Sequence, residues 1–154
     1  MTFERSRDWK LIKAVVTHPK VYDHVSDDFS PSQDDWQPIE NDAMWYVLSK
    51  DGEEVLGLWA FHPINGICYE VHTCLLPSSW GERAHTAVKE LVPWVWENMP
   101  CKRVVTQVPK YNRIAFYFAK HAGLQEFGVN AKSFLKRGKL HDVIWLGISK
   151  PEAA

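Results

Sequence analysis

Glu70 and His72 are the two residues whose types and spacing best suit chemistry. They lie two apart in a strand-like run, so both side chains leave the same face. A carboxylate and an imidazole placed together can take a proton from an amine, directly or through water, and imidazole titrates near neutral pH. The structural alternative is a polar pair that only orders neighbouring strands. Just downstream, Leu75-Leu76-Pro77-Ser78-Ser79-Trp80-Gly81-Glu82-Arg83-Ala84 carries the strand into a helical pattern. A strand that feeds a helix through a tight turn aims unpaired N–H groups and the positive helix end at one spot. Such a spot suits a phosphate or pyrophosphate. Asn112 opens a second, shorter helix that stops at Gly123, and it is a good N-cap whatever else it binds.

The elements that must hold these residues are set by apolar periodicity. Leu11, Ile12, Val15, Val16 and Val21 recur at helical spacing interrupted by Pro19, which predicts helices over 9–18 and 22–25. The polar stretch 26–41 has no period and reads as a connection or a mobile flap. Strands are expected over 44–48 and 54–61, joined at Asp51-Gly52, the strongest short-range hairpin signal. His62-Pro63-Ile64-Asn65-Gly66 makes another turn before a third strand over 67–76. Ala84, Ala87, Val88, Leu91, Val92 and Val95 then share one helix face, with Pro93 expected to kink it. A strand over 102–108, the stripe Ala115, Phe118, Ala119, Ala122, and strands over 127–135 and 142–148 complete the chain. The sum is one mixed α/β domain over 1–154. It has N-terminal helices, an antiparallel meander, two strand–helix units and a closing hairpin.

Composition narrows the partners. With 154 residues the chain can bury about two-thirds of its unfolded surface unaided. Net charge is −1 and pI about 6.6, so no basic field invites nucleic acid or an anionic membrane. Eight tryptophans are unusual; they fit an aromatic core, or a ligand groove or partner surface. Cys68, Cys74 and Cys101 form no C-x-x-C pair, which argues against a disulfide framework and a zinc site, and no metal is expected. Cys68 and Cys74 read as small buried hydrophobes in a reducing compartment. The N-terminal residues lack an apolar signal core and no run approaches ~20 apolar residues, so a soluble cytoplasmic protein is the expectation.

Over about 43–148 the layout resembles the GNAT superfamily of acyl-CoA-dependent N-acyltransferases. The segment from Leu75 to Ala84 is similar to the family's cofactor motif, which often reads Pro-x-x-Trp-Gly-Lys-Gly in the branch that acetylates ribosomal proteins. Asn112, Ala115, Gly123 and Leu124 match the later Asn-x-x-Ala and Gly-Phe signature, with Leu replacing Phe, and Asp142 precedes a strand like the family's last. Strings around Tyr69-Glu70-Val71-His72-Thr73 and Asn130–Lys136 are similar to those of small acetyltransferase-like proteins of tailed phages and prophages. Some relatives of that group are associated with head assembly.

The resemblance implies acetyl-CoA as co-substrate and an amine, small or on a protein, as acceptor. Leu75, Trp80, Gly81, Glu82, Arg83 and Ala84 would hold the cofactor, with Asn112 near the end of the pantetheine arm. Glu70 or His72 would be the base. Arg83 and His85 stand where the motif carries glycines, and Arg83 would compensate by pairing with phosphate oxygens. Ala119 stands at the family's thiolate-protonating tyrosine, and Tyr117 should point elsewhere. His85 reads as an exposed polar residue. Lys132, Lys136, Arg137 and Lys139 read as a solvated turn, or as a contact for an acidic partner or the cofactor's 3′-phosphate. The resemblance implies a second reading too: a catalytically degenerate phage protein acting on structural proteins in morphogenesis, in the host cytoplasm. A homodimer is left open.

Overall fold

Strand alternation sorts the core into two layers. In the computed structural model, which describes residues 1–153, three antiparallel strands form the centre: β2 (Trp45–Asp51), β3 (Glu54–Pro63) and β4 (Cys68–Leu75). They come after a short edge strand, β1 (Thr2–Arg5), and helices α1 (Trp9–Val16) and α2 (Pro19–Val25). Tyr46, Leu48, Leu58, Ala60 and Cys74 face α1 and α2, whereas Val47, Trp59, Phe61, Tyr69 and Leu75 face α3 (Glu82–Asn98). After α3 come β5 (Arg103–Pro109), α4 (Arg113–His121), β6 (Gln125–Lys136) and β7 (Lys139–Ser149). The sheet order is β1-β2-β3-β4-β5-β7-β6, antiparallel throughout except between β4 and β5. This is the mixed α/β meander with two strand–helix units and a closing hairpin that the periodicity predicts.

The differences have local causes. β1 escapes sequence reading because only Phe3 is apolar in its four residues. α2 starts at Pro19, not at residue 22, because proline suits the first helical position. The 26–41 segment is fastened at one end: Asp28 N–H donates to Leu135 O (3.0 Å), and the Asp28 carboxylate accepts from Arg137 and Gly138 N–H (2.8 and 2.9 Å). Lys136 is not solvated. It is 8% exposed, and its ammonium donates to the carbonyls of Asp23 and Ser26 at 2.7 Å each, clamping the end of α2 to the β6–β7 hairpin. Among the described residues no helix is long and apolar enough to cross a membrane.

One bulge sets the turn between β4 and α3. Ser49 pairs with Gly57 and Lys50 with Val55, which leaves Leu56 out of the β2–β3 ladder. Its carbonyl accepts from Leu76 N–H (2.8 Å) and from the buried Ser79 hydroxyl (3.1 Å). Those two bonds fix the 3-10 turn Pro77–Ser79 that joins the strand to the helix. Gly57 adopts φ +143°, and a Cβ there would stand 2.4 Å from Cys74 O.

Candidate active site

The parallel pair β4–β5 is joined only at Cys68/Arg103, Tyr69/Val104 and Glu70/Val105; beyond those residues the strands part. β4 keeps a regular register with β3, and β5 with β7, along the same stretch, so the sheet opens only between β4 and β5. Leu76 N–H turns toward β3, and alternation therefore turns the backbone groups of Thr73 and Leu75 toward the gap. Two side-chain rungs close its narrow end: Thr106 Oγ1 donates to Val71 O (3.0 Å), and Gln107 Nε2 donates to Glu70 Oε2 (3.0 Å). The cavity, about 750 Å³, runs through the sheet from Val21 and His24 of α2 to Val88 and Leu91 of α3, and is mostly apolar-lined.

At its mouth stands the start of α3. Gly81 is the N-cap at φ +91° with open space around its Cα, and no side chain caps the helix. The N–H groups of the first turn, Glu82 to Ala84, point out of the helix without intrahelical acceptors. A second recess of about 450 Å³ borders them, lined by Gly81, Glu82, His85, Thr86, Lys89 and His121. His85 is half-buried rather than exposed, edge-on to His121 (centroids 4.2 Å) and Phe118 (5.5 Å). The Arg83 guanidinium pairs with Glu54 and Asp51 of the β2–β3 hairpin and donates to Ser78 O (3.1 Å), so its side chain is engaged away from the first-turn amides. Trp80 is half-exposed. Its indole donates to Leu75 O (2.9 Å), filling one of the two backbone acceptors that face the gap, and packs edge-on to His24.

On the α2 face, Glu70 is 5% exposed. Its Oε2 lies 3.5 Å from His72 Nε2, and its Oε1 lies 3.4 Å from His62 Nε2. The two imidazoles stack at 5.4 Å. Enclosure lowers the His72 pKa below the ordinary imidazole range, further than the Glu70 carboxylate raises it, and His62 adds to the lowering. The same-face pairing read from sequence is therefore present, and Glu70 and His72 both line the cavity. Sequence reasoning misses His62 because it reads as part of a turn. Asn65 makes the turn instead, its side chain accepting from Ile67 and Cys68 N–H (3.0 and 2.9 Å). The signal that could have found it is symmetry: His62 and Glu70 stand equally far from Gly66, which makes them cross-strand partners.

Asn112 caps α4, its Oδ1 accepting from Ala115 N–H (3.1 Å), and lines the cavity as well. Ala119 is buried, and Tyr117 turns outward to Arg113. Burial pushes the Cys74 thiol up to about 12 and Cys101 up to about 11, as expected for inert packing thiols.

No protein-family model and no curated protein matches the chain. Solved structures do. A spermidine N-acetyltransferase from Vibrio cholerae, in complex with CoA and spermine, superposes with TM-score 0.78 at 18% identity, covering 96% of this chain and 94% of that one. A point mutant of the Vibrio cholerae enzyme gives 0.79 at 15% identity, covering 97% and 95%. The fold is that of the GNAT acetyltransferases. At this identity the likeness establishes architecture alone.

Proposed function

We propose that this protein is an acetyl-CoA-dependent N-acetyltransferase acting on an amine. The observation that carries the reading is the parting of β4 from β5 at Glu70/Val105, directly beside the uncapped start of α3. An extended pantetheine arm fits a gap whose edge offers the N–H and C=O of Thr73 and the N–H of Leu75, while the first-turn amides of α3 suit the pyrophosphate. Lys89 stands at the adjoining recess, where it can reach further phosphate, although Glu82 lines the same recess with opposite charge. Trp80 would pack over the arm, holding Leu75 O for itself.

The amine enters from the α2 side, where Glu70 and His72 stand. Glu70 takes the ammonium proton, directly or through water, and the freed amine attacks the thioester carbonyl. The tetrahedral oxyanion forms at the narrow end of the gap, near the backbone edge of β4. With Ala119 at the tyrosine position and Tyr117 turned away, the leaving thiolate takes its proton from water or from the attacking nitrogen. Spermine, bound in the Vibrio cholerae structure, is a reasonable first acceptor to try. An assembly role in phage morphogenesis draws no support from the open cavity or the structural likenesses.

The test is calorimetry with CoA and acetyl-CoA, followed by thiol release with spermine and simpler amines. Glu70→Gln should lower transfer by about 10²–10⁴-fold while CoA affinity stays near wild type. Absence of CoA binding, or full transfer by Glu70→Gln, would end the proposal.

A further inference from the structure

His62, Glu70 and His72 offer more than a base. We propose that they form a site for a divalent transition-metal ion of the zinc class, three ligands on one sheet face with the fourth position open to the cavity. Side-chain geometry carries the site, independently of acetyl transfer. Ligand atoms about 2.1 Å from a tetrahedral zinc stand roughly 3.4 Å apart. Here His62 Nε2 is 3.4 Å from Glu70 Oε1 and His72 Nε2 is 3.5 Å from the other oxygen, Oε2, so the carboxylate bridges the two rings. One ligand atom from each of the three residues can be chosen so that all lie within 4.8 Å of one another. Small rotations of the two rings about a fixed carboxylate bring them to bonding distance.

Three further observations support a metal over a bare polar cluster. Glu70 is 5% exposed, yet among the described residues neither Lys nor Arg pairs with it, so its charge lacks a permanent counter-ion. Burying a carboxylate without compensation is costly, and a dication supplies the missing charge. Gln107 Nε2 already donates to Glu70 Oε2 (3.0 Å), the outer hydrogen bond that orients ligating carboxylates. The three residues also sit on adjacent antiparallel strands in register, His62 opposite Glu70 and His72 two residues on. The sheet thus holds the ligands in place before any ion arrives. Two imidazoles with one carboxylate favour zinc, cobalt, nickel or copper over calcium and magnesium, which prefer oxygen-rich sites. An ion here would take the Glu70 oxygens that the amine would otherwise reach, so metal loading and proton abstraction by Glu70 exclude each other.

The test uses the full chain, stripped with chelator, in the absence of CoA and amine. Zinc is titrated by calorimetry, and cobalt by visible absorption, whose intensity reports four-coordination. One equivalent is expected, with a four-coordinate cobalt spectrum. His62→Ala and His72→Ala should each abolish that spectrum, and Gln107→Leu should weaken affinity by about 10–100-fold. Circular dichroism identifies folded variants, and His62→Gln replaces His62→Ala if the latter does not fold. No saturable binding, or binding unchanged by His62 replacement, would overturn the site. Acetyl transfer would be untouched by that failure, because the titration contains no cofactor.

Discussion

Gly57→Ala tests whether the bulge at Leu56 governs the mouth of the cavity. A methyl group at residue 57 would meet Cys74 O at 2.4 Å and Leu75 Cα at 2.6 Å, both backbone atoms of the strand it pairs with. Neither can swing aside as a side-chain tip would. The backbone must also leave φ +143°, a conformation L-residues rarely adopt. Strain of about 1–3 kcal/mol from the dihedral and a further ~1–3 kcal/mol from overpacking give a loss of about 4 kcal/mol. For a chain of this length that lowers Tm by roughly 8–16 °C. Pushing β4 outward at residues 74–76 also disturbs the bonds from Leu76 and Ser79 to Leu56 O, and with them the aim of α3. CoA affinity should therefore fall even below the melting range. Differential scanning calorimetry and CoA titration would measure both effects. Gly66→Ala is the control, because nothing stands within 4 Å of its Cβ position. If Gly57→Ala melts no lower than Gly66→Ala, the bulge does not govern the mouth.

Two more predictions separate the roles of charged groups. Arg83→Ala should leave CoA affinity close to wild type, since the side chain is engaged by Glu54 and Asp51; a loss of about tenfold or more would instead assign it to the phosphates. The Asp28 carboxylate is held below its usual range, first by Gly138 N–H and then by Arg137 N–H. A depressed carboxylate stabilises the fold fully above its ordinary pKa, and that contribution fades as pH falls through the native value. The melting temperature of Asp28→Ala should thus trail wild type near neutrality and converge with it in acid; a constant gap would refute the link.

Legibility in the sequence depends on the distance between partners. Asp51-Gly52 forecasts its hairpin because the turn is a local matter, and Gly52 does take φ +61°. The α3 stripe forecasts its buried face for the same reason: Ala84, Ala87, Val88, Leu91 and Val95 are buried, and of the stripe only Val92 is half-buried. Glu70 and His72 can be paired because strand alternation alone places them together. The ion pairs of Arg83 are not legible because its partners lie 29 and 32 residues away, on a hairpin whose reach periodicity does not encode. Lys136 misleads for the same reason on a larger scale, its acceptors standing 113 and 110 residues distant. His62 is recoverable in principle, yet only by counting outward from Gly66, since the residues around it carry turn chemistry.

Under the proposed transfer, the way the narrow end of the gap is fastened bears on which thioesters would fit. Main-chain pairing is indifferent to side-chain identity, so a floor built by the ladder would stay where the sheet put it. Above Glu70/Val105 the strands are tied instead by one hydroxyl and one amide, from Thr106 and Gln107. A shorter or apolar residue at either place lowers that floor without rewriting the sheet. If the chain transfers acyl groups as proposed, acyl-chain length would be left to two replaceable pegs, and selectivity among acetyl, propionyl and longer donors could drift while the fold stands still.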